Sequence, residues 1–547
     1  LMGQLLLSRG IEDPAAALEY LEPDYERGTH DPFLFFGMGR VIERLLRAIE
    51  HKEQVFILGD YDADGVCGAV VFSDTFGAIG FEHFEVYIPD RHKEGFGLSD
   101  EVVSRAISSG ARVLITIDCG VTNVAEVARA QKAGIDVIII DHHLVPPVWP
   151  DAYAIIDPKQ PEDHYPSGQL CGAALAFKVV CALLLRGSFG LPKGWERWLL
   201  DVVAIATVAD MVPLTEENRI LVHWGLAVLR KTRRPGLREL LRSQGLRRDR
   251  IVTEDIGFTI APRINVASRL AHAQVSFRLL TTVSSEEAVD IVRFLEEKTR
   301  ERRTLVAEIL EHVRGLVGAG SPSQGFIVVG DRNWQPGVLG IAANRLLEEY
   351  SCPVFLWGKG EARHVKGSCR SRNVNVVELM RTLPDDFFID FGGHAHSGGF
   401  SFQETRLPVF EEQLARAFLQ QGATETDQPL ILDGELTLED VSRPTLEVIE
   451  RLGPFGIGNE RPVFLFRGVT IAQVRFLGGE QSHVMLTARR NDGALVAIMG
   501  FWMGKVLPRH VQPGSCVTLA ATLERSQFQG REELRLRLID VGESVYL

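Results

Sequence analysis

Short apolar runs alternate with helical stretches from about residue 53 to residue 140. Three of these runs are rich in β-branched residues and show no polar alternation; they lie at 55–58, 113–117 and 137–140. Runs of this kind are typical of strands that are buried on both faces of a parallel sheet. The pattern therefore predicts an α/β domain whose strands are connected by helices.

A long amphipathic helix is predicted further along the chain. Apolar residues recur at helical spacing from 288 to 316, and Ser284 is followed three residues later by a glutamate, which is the signature of a capping box. A helix of about 30 residues is on the order of 45 Å long, a length that suits a connector between two domains. We place strands of a second α/β domain at 326–329 and 353–357.

The pattern changes again towards the C-terminus, where helical signals become rare. Five short alternating strands separated by turn residues are expected at 469–475, 483–489, 495–499, 516–524 and 533–539. Such a series fits a small closed β-barrel of the OB-fold type. The fold prediction is therefore an α/β multidomain protein with five parts: a helical segment at 1–50, a parallel-sheet domain at 51–280, the connecting helix at 281–319, a second α/β domain with a linker at 320–461, and the barrel at 462–547.

Composition and hydropathy argue against a disordered, a fibrous or a membrane-spanning protein. Of the 547 residues, 45% are hydrophobic and 24% are charged, as in ordinary globular chains. The longest apolar stretch, 170–185, is interrupted by Lys178 and is shorter than the roughly 20 residues that span a bilayer. The seven cysteines are scattered without a C-x-x-C pair, and no secretory signal is recognisable. We expect reduced thiols, a cytoplasmic location and no membrane span.

The net charge of −13 argues against a nucleic-acid partner, because domains that bind nucleic acids usually carry a basic surface. A negative net charge does not by itself exclude such a partner. Carboxylates gathered at a metal site are neutralised by the metal, and a groove lined with arginine is compatible with an acidic exterior.

Acidic residues follow each of the three predicted strands of the first domain. The segment GDYDADG at 59–65 places three carboxylates at a spacing of two, Asp118 follows the second strand, and Asp141 follows the third, with His142 and His143 next to it. In open parallel sheets, ligands bind just outside the carboxyl ends of the strands. Clustered carboxylates avoid mutual repulsion when a divalent cation lies among them. The sequence therefore predicts a metal site at this edge.

Other interpretations of the same residues remain open at this point. The acidic segment resembles an EF-hand calcium loop, but Val71 stands where that loop needs a glutamate. An exposed acidic turn without a ligand, and histidines that serve as helix caps or core groups, are further alternatives. Asp210, taken alone, would be an N-cap or a surface residue. Taken together, carboxylates and an imidazole from different strand ends suit manganese. These residues are Asp62, Asp64, Asp118 and His142.

Four motifs, in this order, resemble those of the DHH superfamily of phosphodiesterases: GDYDADG at 59–65, TIDCG around Asp118, DHH at 141–143 and VADMVPL around Asp210. Further segments are similar to the RecJ family within it: IPDR at 88–91, APRIN at 261–265, WQPGVLGI at 334–341, GSCRS at 367–371, the DHHA1-type GGH at 392–394 and PFGIGN at 454–459. The resemblance covers nearly the whole chain. Two positions depart from the family pattern, Gln335 in place of histidine and Ser397 in place of alanine, and both lie outside the metal set.

The resemblance implies a two-metal site and a substrate-binding set. Two Mn²⁺ or Mg²⁺ ions would be held by Asp62, Asp64, Asp118, His142 and Asp210, with Asp118 shared by both. Catalytic roles fall to Asp60, which would orient the ligands, to Asp118, and to His143, which would bind the scissile phosphate. The residues implied to bind the substrate and cradle its phosphates are Arg91, Arg263, Asn265, Ser368, Arg370 and His394.

The implied activity is digestion of single-stranded DNA from the 5′ end to mononucleotides, in DNA repair and recombination. The barrel would extend the DNA track by stacking bases on aromatic residues; the candidates are Phe476, Phe501, Trp502 and Phe528. The partners implied are single-stranded DNA, a single-strand-binding protein and a recombination helicase. An oligonucleotide or cyclic-dinucleotide phosphodiesterase would share the metal ligands but has little use for the barrel. A non-catalytic single-strand-binding scaffold should have lost ligands, and all five are present.

Overall fold

The computed structural model describes the chain except for residues 92, 319–324, 361–362, 422–428, 505, 529–530 and 544–547. It divides into two compact units. The first comprises Leu1–Ile88, Phe96–Ala261 and Pro429–Leu547, and the second comprises Pro89–Gly95 and Pro262–Gln428.

The first unit contains a parallel five-stranded sheet in the order β2-β1-β3-β4-β5. Its strands are β1 (Val55–Gly59), β2 (Phe84–Tyr87), β3 (Val113–Ile117), β4 (Asp136–Ile140) and β5 (Ala154–Ile156). The three predicted strands are confirmed, and every residue of β1 and β3 is buried. The sequence pattern does not reveal β2 and β5, because these edge strands have only four and three residues.

Helices lie before, between and after these strands in the chain. They are α1 (Met2–Leu7), α2 (Pro14–Leu21), α3 (Tyr25–Gly28), α4 (Met38–His51), α5 (Ala63–Ala78), α6 (Asp100–Ser108), α7 (Val124–Lys132), α8 (Gly172–Arg186), α9 (Leu200–Ala209), α10 (Glu216–Leu229), α11 (Pro235–Ser243) and α12 (Thr253–Asp255). A π-helical turn, Ile256–Ile260, follows α12. The longest apolar stretch of the sequence is α8, a core helix whose Lys178 forms a buried ion pair with Glu217 at 2.7 Å. No described helix is both long enough and apolar enough to cross a membrane.

The second unit is built on a five-stranded mixed sheet in the order β6-β7-β8-β10-β9. Its strands are β6 (Ile327–Gly330), β7 (Val354–Lys359), β8 (His364–Arg370), β9 (Asp390–His394) and β10 (Ser397–Gln403). The helices are α13 (Ala261–Leu270), which enters this unit at Pro262, α14 (Gln274–Thr281), α15 (Ser285–Val317), α16 (Pro336–Tyr350), α17 (Val376–Arg381) and α18 (Leu407–Gln421). The sequence pattern predicts only β6 and β7 of these strands.

The predicted long helix is α15, which has 33 residues and begins after Ser284. Its N-terminus differs from the predicted capping box. The Ser284 hydroxyl accepts from the Glu287 backbone N–H at 3.2 Å, as expected. The Glu287 carboxylate, however, accepts from the Thr282 hydroxyl and from Arg278. The Thr282 hydroxyl in turn accepts from the Ser284 N–H at 3.1 Å and takes the place that the glutamate fills in a capping box.

The C-terminal barrel belongs to the first unit. It consists of β11 (Gly434–Glu435), β12 (Phe464–Leu477), β13 (His483–Arg489), β14 (Leu495–Gly500), β15 (Cys516–Phe528) and β16 (Arg531–Glu543), with α19 (Arg443–Glu450) alongside. Pairing of β12 with both β13 and β15 closes the sheet. The predicted closed five-stranded barrel is confirmed, with the two-residue β11 added at one edge. Leu5 and Leu6 of α1 are part of its hydrophobic core.

Short 3-10 turns complete the description. They lie at Pro32–Leu34, Trp195–Leu199, Arg248–Arg250, Glu404–Arg406, Leu438–Asp440 and Gly479–Gln481.

Candidate metal centre

The acidic segment after β1 is held by the N-termini of two helices. Asp62 caps α5, and its Oδ1 accepts from the backbone N–H groups of Asp64 at 2.8 Å and Gly65 at 3.4 Å. Asp64 is 1% exposed, and its two oxygens accept from the N–H groups of Gly172 at 2.6 Å and Ala173 at 2.8 Å, at the start of α8. Helix N-termini stabilise negative charge. Both carboxylates are therefore fixed before any ligand arrives.

Asp118 follows β3 directly and lies in the left-handed region of backbone conformation, with φ of 62°. That conformation is uncommon for residues other than glycine, and where it occurs it is often found at functional sites. Asp118 is 4% exposed. Gly172 leaves the space for it, because a Cβ at position 172 would lie 2.7 Å from the Asp118 Cβ. Neither this glycine nor the helix N-terminus that it begins was singled out from the sequence.

His142 stands among three carboxylates that come from different parts of the fold. Its Nε2 lies 3.1 Å from Asp118 Oδ1, 3.6 Å from Asp210 Oδ2 and 3.8 Å from Asp64 Oδ2. Asp210 reaches this place as the C-cap residue of α9. The structure thus brings together four of the five predicted metal ligands around one imidazole nitrogen.

His143 is positioned by Asp141, a strand-end acid that is not among the catalytic, metal or substrate residues predicted from the sequence. The Nδ1 of His143 lies 2.8 Å from Asp141 Oδ1, and Asp141 also accepts from the Val121 N–H at 3.1 Å. Burial alone would raise the pKa of Asp141, but the hydrogen bond from His143 and the charge of that ring hold it below its usual value. The same contact raises the pKa of His143 against the effect of burial. Asp141 therefore fixes the ring orientation of His143. Its position as the first letter of the DHH motif was the available signal.

The donor atoms fit divalent cations. Three groups of ligand atoms each lie within 4.8 Å of one another. They are Asp118 with His142 and His143, Asp64 with His142 and Asp210, and Asp60 with Asp62 and Asp118. Carboxylate oxygens suit both Mg²⁺ and Mn²⁺, and the imidazole nitrogens favour Mn²⁺ over Mg²⁺.

The electrostatics of the cluster also indicate a site for a cation. Burial, followed by the charges of the neighbouring carboxylates, raises the pKa of Asp118 well above its usual value. Burial and the charges of Asp64 and Asp62 raise the pKa of Asp210 to about 9, and burial with the charge of Asp62 raises that of Asp64 to about 6. A bound cation would remove this repulsion and favour the ionised forms. The residues present therefore fit a metal-binding role.

A second group of predicted residues lies in the second unit. Ser368 and Arg370 project from the same face of β8. Ser368 Oγ and Arg370 Nη2 lie 3.6 Å and 2.9 Å from the place that a Cβ at Gly340 of α16 would take. Burial, and then the positive charge of Arg91, lower the pKa of Arg370. Two half-buried guanidinium groups whose positive charges act on each other suit an anion.

The GGH segment belongs to the same row of the sheet. In the strand register, Ser397 pairs with Arg370 on one side and with His394 on the other. Residues that pair directly across strands present their side chains on one face. His394 is therefore on the face that carries Arg370, and it is exposed.

Two other predicted substrate residues lie on α13. Arg263 is 5% exposed and donates from Nε to Glu296 at 2.5 Å. Asn265 is half-buried, and within the part of the chain that the structure describes its buried Oδ1 accepts no hydrogen bond. The structure thus groups Arg91, Ser368 and Arg370, whereas Arg263 already has a carboxylate partner.

Three family models match the chain. The model of the DHH family, N-terminal domain, matches residues 54–207, the DHHA1 domain matches 323–420, and the RecJ OB domain matches 432–540. The parallel sheet with its carboxylate cluster, followed by these two further domains, defines a DHH-family protein.

Curated relatives and solved structures match most or all of the chain. The single-stranded-DNA-specific exonuclease RecJ of Bacillus subtilis (strain 168) is 33% identical over 100% of this chain and 68% of its own length, and RecJ of Escherichia coli (strain K12) is 30% identical over 91% and 89%. A crystal structure of RecJ from Thermus thermophilus in complex with Mn²⁺ has a TM-score of 0.82 at 28% identity and covers 100% of this chain and 76% of that one. A crystal structure of that RecJ with Mg²⁺ has a TM-score of 0.76 at 27% identity, over 100% and 75%. The chain belongs to the RecJ family.

Proposed function

We propose that this chain is a metal-dependent exonuclease that digests single-stranded DNA from the 5′ end and releases 5′-mononucleotides, in DNA repair and recombination. The observation that carries the proposal is the complete carboxylate cluster around His142 Nε2, with Asp64, Asp118 and Asp210 within 3.8 Å. An inactive scaffold has no need of such a cluster, and relatives that cover nearly all of the chain are named single-stranded-DNA-specific exonucleases.

In this proposal Asp62, Asp64, Asp118, His142 and Asp210 hold two Mn²⁺ or Mg²⁺ ions, and Asp118 contributes to both sites. Two such cations lower the pKa of a water molecule and stabilise the charge that develops on a phosphate. Asp60, which shares a ligand group with Asp62 and Asp118, keeps these side chains oriented.

His143 acts on the scissile phosphate. Asp141 binds the Nδ1 of this histidine and raises its pKa, which leaves the other ring nitrogen, Nε2, to donate to the phosphate. A donor that is fixed in advance stabilises developing charge more effectively than water does.

The residues of the second unit bind the phosphates of the strand. Arg91, Ser368, Arg370 and His394 supply donors and positive charge for one phosphate group. Arg263 and Asn265 complete the substrate-binding set, Asn265 with a buried acceptor that has no hydrogen bond within the described residues.

The barrel extends the path of the strand. Arg535 and Arg537 each lie 5.5 Å from the centre of the Phe501 ring. His483 packs edge-on against Trp502, which is 58% exposed. Exposed aromatic faces next to guanidinium groups are the usual platform for unpaired bases. Phe476 is exposed as well, whereas the side chain of Phe528 lies outside the described residues.

The proposal includes a cytoplasmic location and delivery of the strand by a single-strand-binding protein and a recombination helicase. No disulfide joins any of the seven cysteines, all of which lie in the described part of the chain. Reduced thiols are the usual state in a reducing compartment.

The first test is a time course on single-stranded DNA oligonucleotides labelled at either end, with Mn²⁺ or with a chelator. We expect rapid release of a labelled mononucleotide from the 5′ label, slow loss of the 3′ label and no reaction with the chelator. Turnover of dinucleotides or cyclic dinucleotides without digestion of longer strands would contradict the proposal and favour a small-substrate phosphodiesterase, which leaves the barrel without a use.

The phosphate-binding role of Arg370 gives a second prediction. Arg370→Gln should raise the KM for a 5′-phosphorylated strand by about 10- to 150-fold, because a hydrogen bond to a charged group is worth about 1.5–3 kcal/mol. Initial rates should be compared on 5′-phosphorylated and 5′-hydroxyl strands. The control is Arg381→Gln, which breaks an ion pair in which the arginine side chain is 61% exposed. This variant should leave the KM for both strands unchanged. Equal weakening on both substrates would rule out a terminal-phosphate contact.

A further inference from the structure

An apolar cavity of about 360 Å³ lies in the first unit beside Asp210. Val208 and Met211, which flank this acid in the sequence, form one wall, and Phe258 of the π-helical turn forms another. The loop before the barrel supplies Phe455 and Ile457. Consecutive Cα atoms are about 3.8 Å apart, so the cavity begins one residue from a predicted metal ligand.

Three large apolar side chains that line this cavity face solvent, beside the exposed Glu460. Phe258 is 75% exposed, Met211 66% and Ile457 43%, whereas Phe455 at the floor is 7% exposed. Clustered apolar side chains on a surface mark binding sites more often than isolated ones do. Phe258 has the largest exposed fraction of the three and offers an aromatic face.

The walls are held in place by hydrogen bonds between distant parts of the chain. The backbone N–H of Leu214 donates to the Ile457 carbonyl at 2.7 Å, and the Thr253 hydroxyl donates to the Phe455 carbonyl at 2.6 Å. These contacts tie the segment after Asp210, and the start of α12, to the loop that leads into the barrel. The cavity is therefore a preformed feature of the fold.

Four polar residues, Thr253, Glu254, Glu460 and Arg461, line the cavity together with its apolar side chains. The Arg461 guanidinium lies 4.5 Å from the centre of the Phe455 ring and donates to Glu254 at 2.8 Å. Aromatic and aliphatic walls with a few donors and acceptors, two of them the carboxylates of Glu254 and Glu460, suit a flat heteroaromatic group better than a phosphate. Arg461 also lies three residues before β12, the first long strand of the barrel.

We propose that this cavity receives one nucleobase of the bound strand, stacked on the face of Phe258 and separated from its neighbouring bases. The inference rests on the proposed function and extends it: the base in the cavity sets which phosphate stands at the cluster of Asp64, Asp118 and Asp210. Stacking tolerates every base, because each has a π-face. The cavity therefore positions the strand without imposing a sequence preference, and it continues the path towards the barrel.

The test uses the whole chain and a set of single-stranded oligonucleotides, each with one abasic site at a different distance from the 5′ end. Release of the first labelled nucleotide with Mn²⁺ is measured for wild type, Phe258→Ala, Phe258→Tyr and Phe258→Leu. Phe36→Ala is the matched control, since Phe36 is a 52% exposed phenylalanine of the same unit that does not line the cavity. Melting temperatures check that each variant is folded.

We expect Phe258→Ala to raise the KM for an intact strand by about 5- to 150-fold, the range for loss of one base–aromatic stack. In wild type, one abasic position should carry a similar penalty, and Phe258→Ala should remove the penalty at that position alone. Phe258→Tyr should restore the KM, whereas Phe258→Leu, which keeps apolar volume without an aromatic face, should not. Phe36→Ala should match wild type.

Three results would overturn the inference. They are an unchanged KM and abasic profile in Phe258→Ala, full rescue by Phe258→Leu, and a dimer in sedimentation that Phe258→Ala abolishes while KM stays unchanged, which would assign this face to a second copy of the chain. Fluorescence anisotropy with a strand whose terminal linkage resists hydrolysis separates the two proposals. If wild type binds that strand without cleaving any strand, and Phe258→Ala alone weakens binding, the cavity proposal stands and the exonuclease proposal falls.

Discussion

Asp118→Asn should abolish digestion of single-stranded DNA, with a loss in kcat/KM on the order of 10⁴-fold, the scale seen when one member of a cooperating catalytic group is removed. The amide keeps the shape of the side chain but not its negative charge. In the structure Asp118 is shared by two of the candidate ligand groups and lies 3.1 Å from His142 Nε2. Mononucleotide release with saturating Mn²⁺ and calorimetric titration with Mn²⁺ measure the two consequences, lost turnover and weakened metal binding.

Asp118→Asn should not destabilise the metal-free protein, although it removes the activity. Burial and neighbouring carboxylates raise the folded-state pKa of Asp118 above its unfolded value. Ionisation therefore favours the unfolded chain at any pH above the unfolded pKa. Asparagine removes this penalty, so the metal-free variant should melt no lower than wild type at pH 7, while the rise in melting temperature caused by Mn²⁺ should be lost.

A surface aspartate provides the control for both measurements. Asp290→Asn removes a carboxylate whose side chain is 74% exposed and which pairs with Arg293 three residues later on the same helix. It should change neither turnover nor the stabilisation by Mn²⁺. Wild-type Mn²⁺-dependent digestion by Asp118→Asn would contradict the assignment of Asp118 as the shared ligand.

The acids that follow β1, β3 and β4 can be assigned to the metal cluster from local sequence alone. β1, β3 and β4 are buried apolar runs, so the ends of these strands can be recognised in the sequence. The acids that follow them must meet at one edge of a parallel sheet. Asp210 has no such signal. It is the C-cap of a helix that is almost completely buried, and the packing of α9 against α5, α8 and α10 decides where the end of that helix lies. A resemblance to a family could point to Asp210, but periodicity could not.

The structural features that the sequence pattern does not predict depend on contacts between residues far apart in the sequence. Leu5 and Leu6 contribute to the barrel core, although more than 400 residues separate them from β12. The pairing of Arg263 with Glu296 depends on how α13 packs beside α15. The role of the Gly172 N–H group became visible only with distances, because a glycine at a helix start is not distinctive by itself. The DHH motif contains Asp141, but only the distance to His143 Nδ1 shows what this carboxylate does.

Gly65→Ala should damage both stability and catalysis, because the first turn of α5 lies against the backbone of Asp60. A Cβ at position 65 would be 2.3 Å from the Asp60 N and 2.5 Å from its carbonyl oxygen. Backbone atoms cannot rotate away as a flexible side chain can, so α5 or the end of β1 must move. Overpacking of this kind costs about 1–3 kcal/mol or more. A displacement of about 1 Å at a reacting centre can lower the rate by roughly 10²-fold.

Gly77→Ala in the same helix separates this steric effect from the general effect of replacing a glycine. A Cβ at position 77, in the last turn of α5, meets no heavy atom within 4 Å, and alanine is favoured over glycine in a helix by up to about 1 kcal/mol. Gly77→Ala should therefore raise the midpoint of thermal unfolding and leave kcat and KM unchanged. Gly65→Ala should lower that midpoint, lower kcat by about 10²-fold or more and weaken Mn²⁺ binding, because Asp62 and Asp64 move with the helix N-terminus. If the two variants behaved alike, the close approach of α5 to Asp60 would have no part in holding the carboxylates in place.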